Sequence, residues 1–313
     1  MSRKKTFLNK LRHLVEYGGM ELLSLAVRPF SACGVYHIGR TLGRLLHVFS
    51  EKRIQVAMTN LDIAFADSKS LQEKKQIIRQ SFMQMTISAL QCLWLQHDTK
   101  KRTYLLFPEV PENLHILTDC LQKNKGAFIL MAHYGNWEAM AMYNGYIGAM
   151  HLYSIVRRQD NPYLEKATCD FRTRSGNGIF FRDDSPLKIV RALKNNSCVA
   201  VMMDQNTAVG GVYVDFFGKK AATARSVALL SYKMNTPILP IFVHPNSNGT
   251  YTIEIQPELK LEKTGNKEED VLSWTQECQK VIESVVRKHP ENWMWVHRRW
   301  KTRPPEERGN KIY

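Results

Sequence analysis

From residue 126 onward, short apolar runs alternate with helical patterns, and this rhythm constrains the fold more than any other feature of the 313-residue chain. The runs are 127–133, 152–157, 197–204 ("SCVAVMMD") and 238–244 ("ILPIFVH"). Helices are expected between them, near 137–150, 163–174, 186–195 and 224–235. Ser185 ahead of Pro186 marks one start, and Thr223 as an N-cap marks another. The alternation predicts an α/β fold with a mixed, mostly parallel central sheet flanked by helices. Ligands of such sheets bind beyond the carboxyl ends of the strands. His133 and Asp204 each close a strand, so chemistry is expected there.

The first 100 or so residues read as helical. In "LQEKKQIIRQSFMQMTISALQCLWLQ" the residues Ile78, Phe82, Met85, Ala89 and Cys92 recur at spacings of three and four, giving one buried face. Ahead of any acid stand Arg3, Lys4, Lys5, Lys10 and Arg12. The following "MELLSLAVRPFSACGVYHIG" is interrupted by Glu21, Arg28 and Pro29, and lacks the run of about 18 apolar residues that a spanning helix needs. Residues 1–50 are therefore expected to form a basic helical segment lying in, or dipping into, a bilayer surface. A formal net charge of +15 favours polyanions: nucleic acid, an anionic membrane or phosphorylated substrates. The six cysteines are scattered with no CxxC pair, which argues against a zinc site and a disulfide framework.

The stretch "MAHYGNWEAM" ends an apolar strand in His133 and presents Glu138 five residues on. On a regular helix five residues amount to about 500°, leaving the two side chains roughly 140° apart. They share a site only if a turn intervenes, and Tyr134-Gly135-Asn136 supplies turn residues. The spacing is wrong for a zincin, which needs two histidines at i and i+4. It suits a general base with an acidic orienter. Taken alone, a strand-end histidine is more often structural.

Further blocks alter that reading. "RIQVAMTNLDIAFAD" carries Arg53, Asn60-Leu61 and Phe65. Arg157 and Asn161-Pro162 follow the second strand, and "DQN" at 204–206 precedes "FFGKKAAT" at 216–223. The chain closes with "WMWVHRRWKTRP". With "HYGNWE" these five blocks, in order over residues 53 to 304, resemble the late acyltransferases of lipid A biosynthesis. That family belongs to the lysophospholipid acyltransferase superfamily, which carries an H-x4-D/E motif. Arg158 and Gln159 depart from the family, standing where members more often carry Pro and an apolar residue.

The resemblance implies an acyltransferase domain over 51–313 at the cytoplasmic face of the inner membrane. It implies transfer of a fatty acyl chain from an acyl carrier protein thioester to a hydroxyl of a lipid A precursor. His133 would be the base and Glu138 the acid that fixes its tautomer, with Asp204 a rival for the second role. Arg157 would donate to the oxyanion or hold a phosphate of the acceptor. Arg158, Arg174, Arg298 and Arg299 would meet phosphate or headgroups, and Trp293, Trp295 and Trp300 would either sit at the interface or pack in the core. No metal and no cofactor are expected, because the thioester is itself a substrate. No acyl-enzyme is expected either, since no G-x-S-x-G elbow is present. Two rivals stay open: an acyl-CoA-dependent enzyme acting on another glycolipid or lysophospholipid, and a non-enzymatic basic membrane- or nucleic-acid-binding module. No nucleic-acid-binding motif accompanies the basic tail, so nucleic acid is not expected as a partner.

Overall fold

A computed structural model describes residues 3–307, 309 and 311–313, and the side chains of residues 3–7 lie outside the description. Residues 3–122 are mainly helical: α1 (Arg3–Val27), α2 (Ala32–Val48), α3 (Glu51–Phe65), α4 (Leu71–Leu95), α5 (Thr99–Leu106) and α6 (Leu114–Gln122). Helix α4 is the spine of this half. Ser70 and Glu73 form a capping box at its start, satisfying two N–H groups that a helix end leaves orphaned. Helix α2 crosses α4 at close range. A Cβ on Gly39 would lie 2.8 Å from Ile87 Cα, and one on Gly43 only 2.5 Å from Met83 Cα. Gly43→Ala is therefore expected to cost about 1–3 kcal/mol by overpacking, read as a lower urea midpoint. Helix α1 is tied down by Ser24 Oγ donating to Leu93 O (3.1 Å) and by Asn161 Nδ2 donating to His13 O (2.9 Å). None of the described helices is long and apolar enough to cross a membrane.

The alternating half follows as β1 (Ala127–Met131), α7 (Trp137–Ile147), β2 (Leu152–Val156), α8 (Pro162–Thr173), β3 (Gly178–Phe181), α9 (Pro186–Lys194) and β4 (Cys198–Met202). A hairpin of β5 (Gly211–Phe216) and β6 (Lys219–Ala224) comes next, then α10 (Ser226–Met234), β7 (Ile238–Pro245), β8 (Tyr251–Ile255) and α11 (Lys267–Lys288). Six strands form one sheet in the order β3-β2-β4-β1-β7-β8. Every pairing is parallel except β7 with β8. The expected mixed, mostly parallel sheet is thus present, with apolar clusters packed on both faces. Central β1 is buried at all five positions, which is why it reads as an unbroken apolar run.

One expectation fails for an identifiable reason, and one left open is decided. Thr223 is not an N-cap. It sits in β6, its hydroxyl donates to Ala221 O, and α10 begins at Ser226 with Arg225 before it. Of the interface and the core, the tryptophans of the final segment take the core: Trp293, Trp295 and Trp300 are at most 1% exposed. Their indole N–H groups donate inward, to Asp204 Oδ2, Pro290 O and Lys219 O respectively. A buried indole needs such a partner, and these three find theirs inside the protein.

Candidate active site

The parallel pairing of β1 with β4 sets Met131 level with Met202. Two residues further on, His133 and Asp204 leave the sheet side by side at its carboxyl edge. The chain then turns at Gly135, whose φ is +60° and where a Cβ would lie 2.2 Å from Val243 O. Only glycine meets both conditions without strain. The turn is held by the final segment: Gly135 N donates to Asn292 O (3.0 Å) and Met294 N donates to His133 O (3.1 Å).

His133 Nδ1 lies 2.9 Å from Asp204 Oδ1. Asp204 Oδ2 accepts from His133 N and from the Trp293 indole, both at 2.8 Å. Burial alone raises the Asp204 carboxyl, but the His133 imidazole and these hydrogen bonds outweigh it and hold the group at about 2. Burial likewise opposes charge on His133, yet the charge and hydrogen bond of Asp204, with a smaller contribution from Glu138, raise it above the ordinary histidine value. An ionised carboxylate only accepts hydrogen bonds. The neutral imidazole therefore carries its proton on Nδ1 and presents a lone pair at Nε2. That lone pair accepts from Gln205 Nε2 at 3.1 Å.

Glu138 faces elsewhere. It receives a two-pronged grip from Arg172 of α8, with Nε donating at 2.9 Å to Oε2 and Nη2 donating to Oε1. The expectation that Glu138 rather than Asp204 touches His133 is thus corrected, for a topological reason. Glu138 lies in the first turn of α7, carried away from the strand end, while the strand pairing delivers Asp204. Glu138→Gln is expected to destabilise the fold by about 1–2 kcal/mol, since each partner is roughly a quarter exposed. It should move the pH dependence of His133 less than a change at Asp204 does. Thermal melts and a pH–rate profile check both.

Beside the dyad lies a largely apolar cavity of about 340 Å³, within the range of ligand pockets. Met20, Met85, Ala89, Leu93, Trp137 and Phe171 line it, with Glu138 and Arg172 also at its wall. Trp137 joins cavity to dyad, its ring centroid 5.0 Å from that of His133. Of the Met- and Phe-rich stretch 128–143, Asn136, Trp137 and Glu138 reach this cavity, and Phe128, Met131, Met140 and Met142 are core.

The expected arginines scatter. Arg157 is exposed just past β2. Arg158 stacks 3.7 Å from the Phe181 ring centroid and pairs with Asp183 and Glu165. Arg174 donates to Gln96 O (2.7 Å) and Thr99 Oγ1 (3.2 Å). Arg298 is exposed. Arg299 meets no headgroup: it is 0% exposed and donates to Gln205 O, Ala222 O, Thr223 Oγ1 and Gln279 Oε1. Burial pushes its guanidinium down to about 10. Arg172 is a site residue to which the sequence assigned no role, and Trp293 is one placed at an interface or in the core but not on Asp204. Arg172 recurs at no telling distance from His133, and a tryptophan beside cations reads as interfacial. Among the described residues no group of side chains has the makings of a metal site.

A strand-end histidine backed by a buried carboxylate, with an apolar cavity on the far side of Trp137, is an arrangement suited to an α/β enzyme that activates a hydroxyl beside an apolar substrate. The pattern of the bacterial lipid A biosynthesis acyltransferases matches residues 4–302, and the chain belongs to that family; it is an acyltransferase. It is 26% identical to the lipid A biosynthesis lauroyltransferase of Escherichia coli (strain K12), over 94% of this chain and 93% of that protein. It is 25% identical to the palmitoleoyltransferase of the same strain, over 95% and 94%, and 22% identical to its myristoyltransferase, over 86% and 80%.

Proposed function

We propose that the protein moves a fatty acyl chain from an acyl carrier protein thioester directly to a hydroxyl of a lipid A precursor. The observation that carries this reading is the His133–Asp204 pair, which leaves the unprotonated Nε2 to act as base, with Trp137 between it and the apolar cavity. A hydroxyl is a poor nucleophile at neutral pH. His133 Nε2 takes its proton as the oxygen attacks the thioester carbonyl, and Asp204 stabilises the imidazolium. The tetrahedral intermediate then collapses, and the departing thiolate recovers the proton from Nε2. First-turn N–H groups of α7, which a helix leaves without intrahelical partners, are the donors we assign to the oxyanion. The acyl chain lies in the cavity, and the Glu138–Arg172 pair fixes the wall where it enters. The reaction needs no cofactor, because the thioester already carries an activated acyl group.

A second part of the proposal concerns attachment to the cytoplasmic face of the inner membrane. Leu8, Leu11, Val15 and Leu22 of α1, with Leu42, Leu45 and Leu46 of α2 and Phe49 just beyond it, are exposed. Arg40 and Arg44 stand on α2 beside them. Apolar side chains flanked by cations suit an anionic bilayer surface. Anionic phospholipid vesicles are expected to pellet the protein, and Leu45→Asp with Phe49→Asp to abolish most of that binding. For the chemistry, the purified protein is given a lipid A precursor with lauroyl-acyl carrier protein or lauroyl-CoA. Mass spectrometry should find acyl addition with the carrier protein donor. Addition only from CoA would overturn the donor assignment, and addition from neither would overturn the reaction.

A further inference from the structure

We infer that the Gln205 carboxamide is a placeholder on the base: it occupies His133 Nε2 until the acceptor hydroxyl displaces it, and so suppresses wasteful hydrolysis of the thioester. The inference rests on the proposed role of His133. Its starting point is that the one lone pair the reaction needs is already engaged, by Gln205 Nε2 at 3.1 Å. The acceptor hydroxyl must donate to that same lone pair, so the carboxamide has to leave before transfer begins.

The surrounding contacts suit a side chain that swings on a fixed pivot. Gln205 O accepts from the fully buried Arg299 at 3.3 Å. On either side Asp204 is held by His133 and Trp293, and the Asn206 side chain exchanges hydrogen bonds with Thr302 N (2.9 Å) and Thr302 Oγ1 (3.0 Å). Thr207 N donates to Ala222 O (3.1 Å). The chain around Gln205 is thus anchored at four successive residues, through the side chains of Asp204 and Asn206 and the backbone of Gln205 and Thr207. Its side chain is half-buried, and among the described residues its carboxamide makes only the bond to His133. Breaking that single bond frees the amide without disturbing the dyad.

The chemistry gives the device a purpose. Water at Nε2 is a competitor of the acceptor: its proton passes to Nε2, its oxygen attacks the thioester carbonyl, and the thiolate leaves with that proton, releasing a free fatty acid. Water has little binding energy with which to displace the amide. A glycolipid acceptor has contacts along its whole length, and part of their binding energy is available for the displacement. One net hydrogen bond corresponds to a factor on the order of five, which sets the expected bias toward transfer.

The test uses full-length protein in detergent, with lauroyl-acyl carrier protein in the presence and absence of a lipid A precursor. Gln205→Ala is expected to raise the ratio of hydrolysis to transfer about fivefold. Gln205→Glu places an anion on Nε2, which favours the imidazolium, so the rising limb of its pH–rate profile should move to higher pH. Circular dichroism establishes that both variants are folded. An unchanged ratio in Gln205→Ala, or an unmoved limb in Gln205→Glu, would overturn the placeholder alone. Retention of transfer by His133→Ala would overturn the placeholder together with the base on which it depends.

Discussion

His133→Ala is expected to lower the rate of acyl transfer by about 10²–10⁴-fold, the usual contribution of a positioned general base. The fold should survive. The side chain is 18% exposed, its ring hydrogen bonds are to Asp204 and Gln205, and its remaining ring contact is edge-on with Trp137. His133 N, which bonds Asp204 Oδ2, is unaffected by the change. A steady-state assay checks the rate and a thermal melt checks the fold. Loss of rate together with loss of the melt would leave a structural histidine as the better account. Transfer persisting in a folded protein would exclude His133 as base.

Asp204→Asn is expected to cost about as much, on the order of 10³–10⁴-fold, by the logic of any histidine whose orienting carboxylate is neutralised. An amide turned to donate toward Nδ1 would drive the proton to Nε2 and remove the lone pair that takes the hydroxyl proton. The pH dependence moves in a defined direction. Asp204 raises His133 in the native protein, so the acidic limb of the rate profile should shift to lower pH in the variant. Stability follows from the same shifts. Asp204, held at about 2 against an ordinary value of about 3.9, contributes stability above the latter that is lost as pH falls. His133, raised when folded, contributes stability below about 6.5 that is lost as pH rises through its folded value. Both contributions are fully present only between roughly pH 4 and 6.5. Urea midpoints should differ most between native protein and variant within that window. An unmoved limb would mean that Asp204 does not govern the imidazole.

The sheet was largely legible because burial on both faces writes strands as unbroken apolar runs, and β1, β2, β4 and β7 all begin within a residue of their expected positions. Four strands were not anticipated: β3 is short, β8 lies at an edge, and β5 with β6 form a separate hairpin. That hairpin did have a signal. Phe217-Gly218 form a two-residue turn with φ of +53° and +71°, of the kind that glycine favours between antiparallel strands. The partner of His133 was harder. Both His133 and Asp204 could be placed at strand ends, but their adjacency depends on β4 lying beside β1, and strand order is a long-range property. Proximity along the chain favoured Glu138; proximity in space belongs to Asp204. The final segment left two readings open for a similar reason, because composition alone does not say that its tryptophans face inward.

The part played by residues 292–299 bears on how the enzyme comes into being. Asn60 of α3 donates to Trp295 O (2.6 Å) and His297 O (2.7 Å), and the Trp293 indole steadies Asp204. At about 5–20 residues per second, a ribosome needs on the order of 10–50 s to travel from the first of these positions to the last. Throughout that interval the nascent chain bears the apolar surfaces of α1 and α2 without the indole that secures the dyad. On the proposed reading, a polypeptide stalled ahead of Trp293 would already carry the surface offered to the bilayer yet lack the indole that holds Asp204, so translation itself would delay the onset of catalysis.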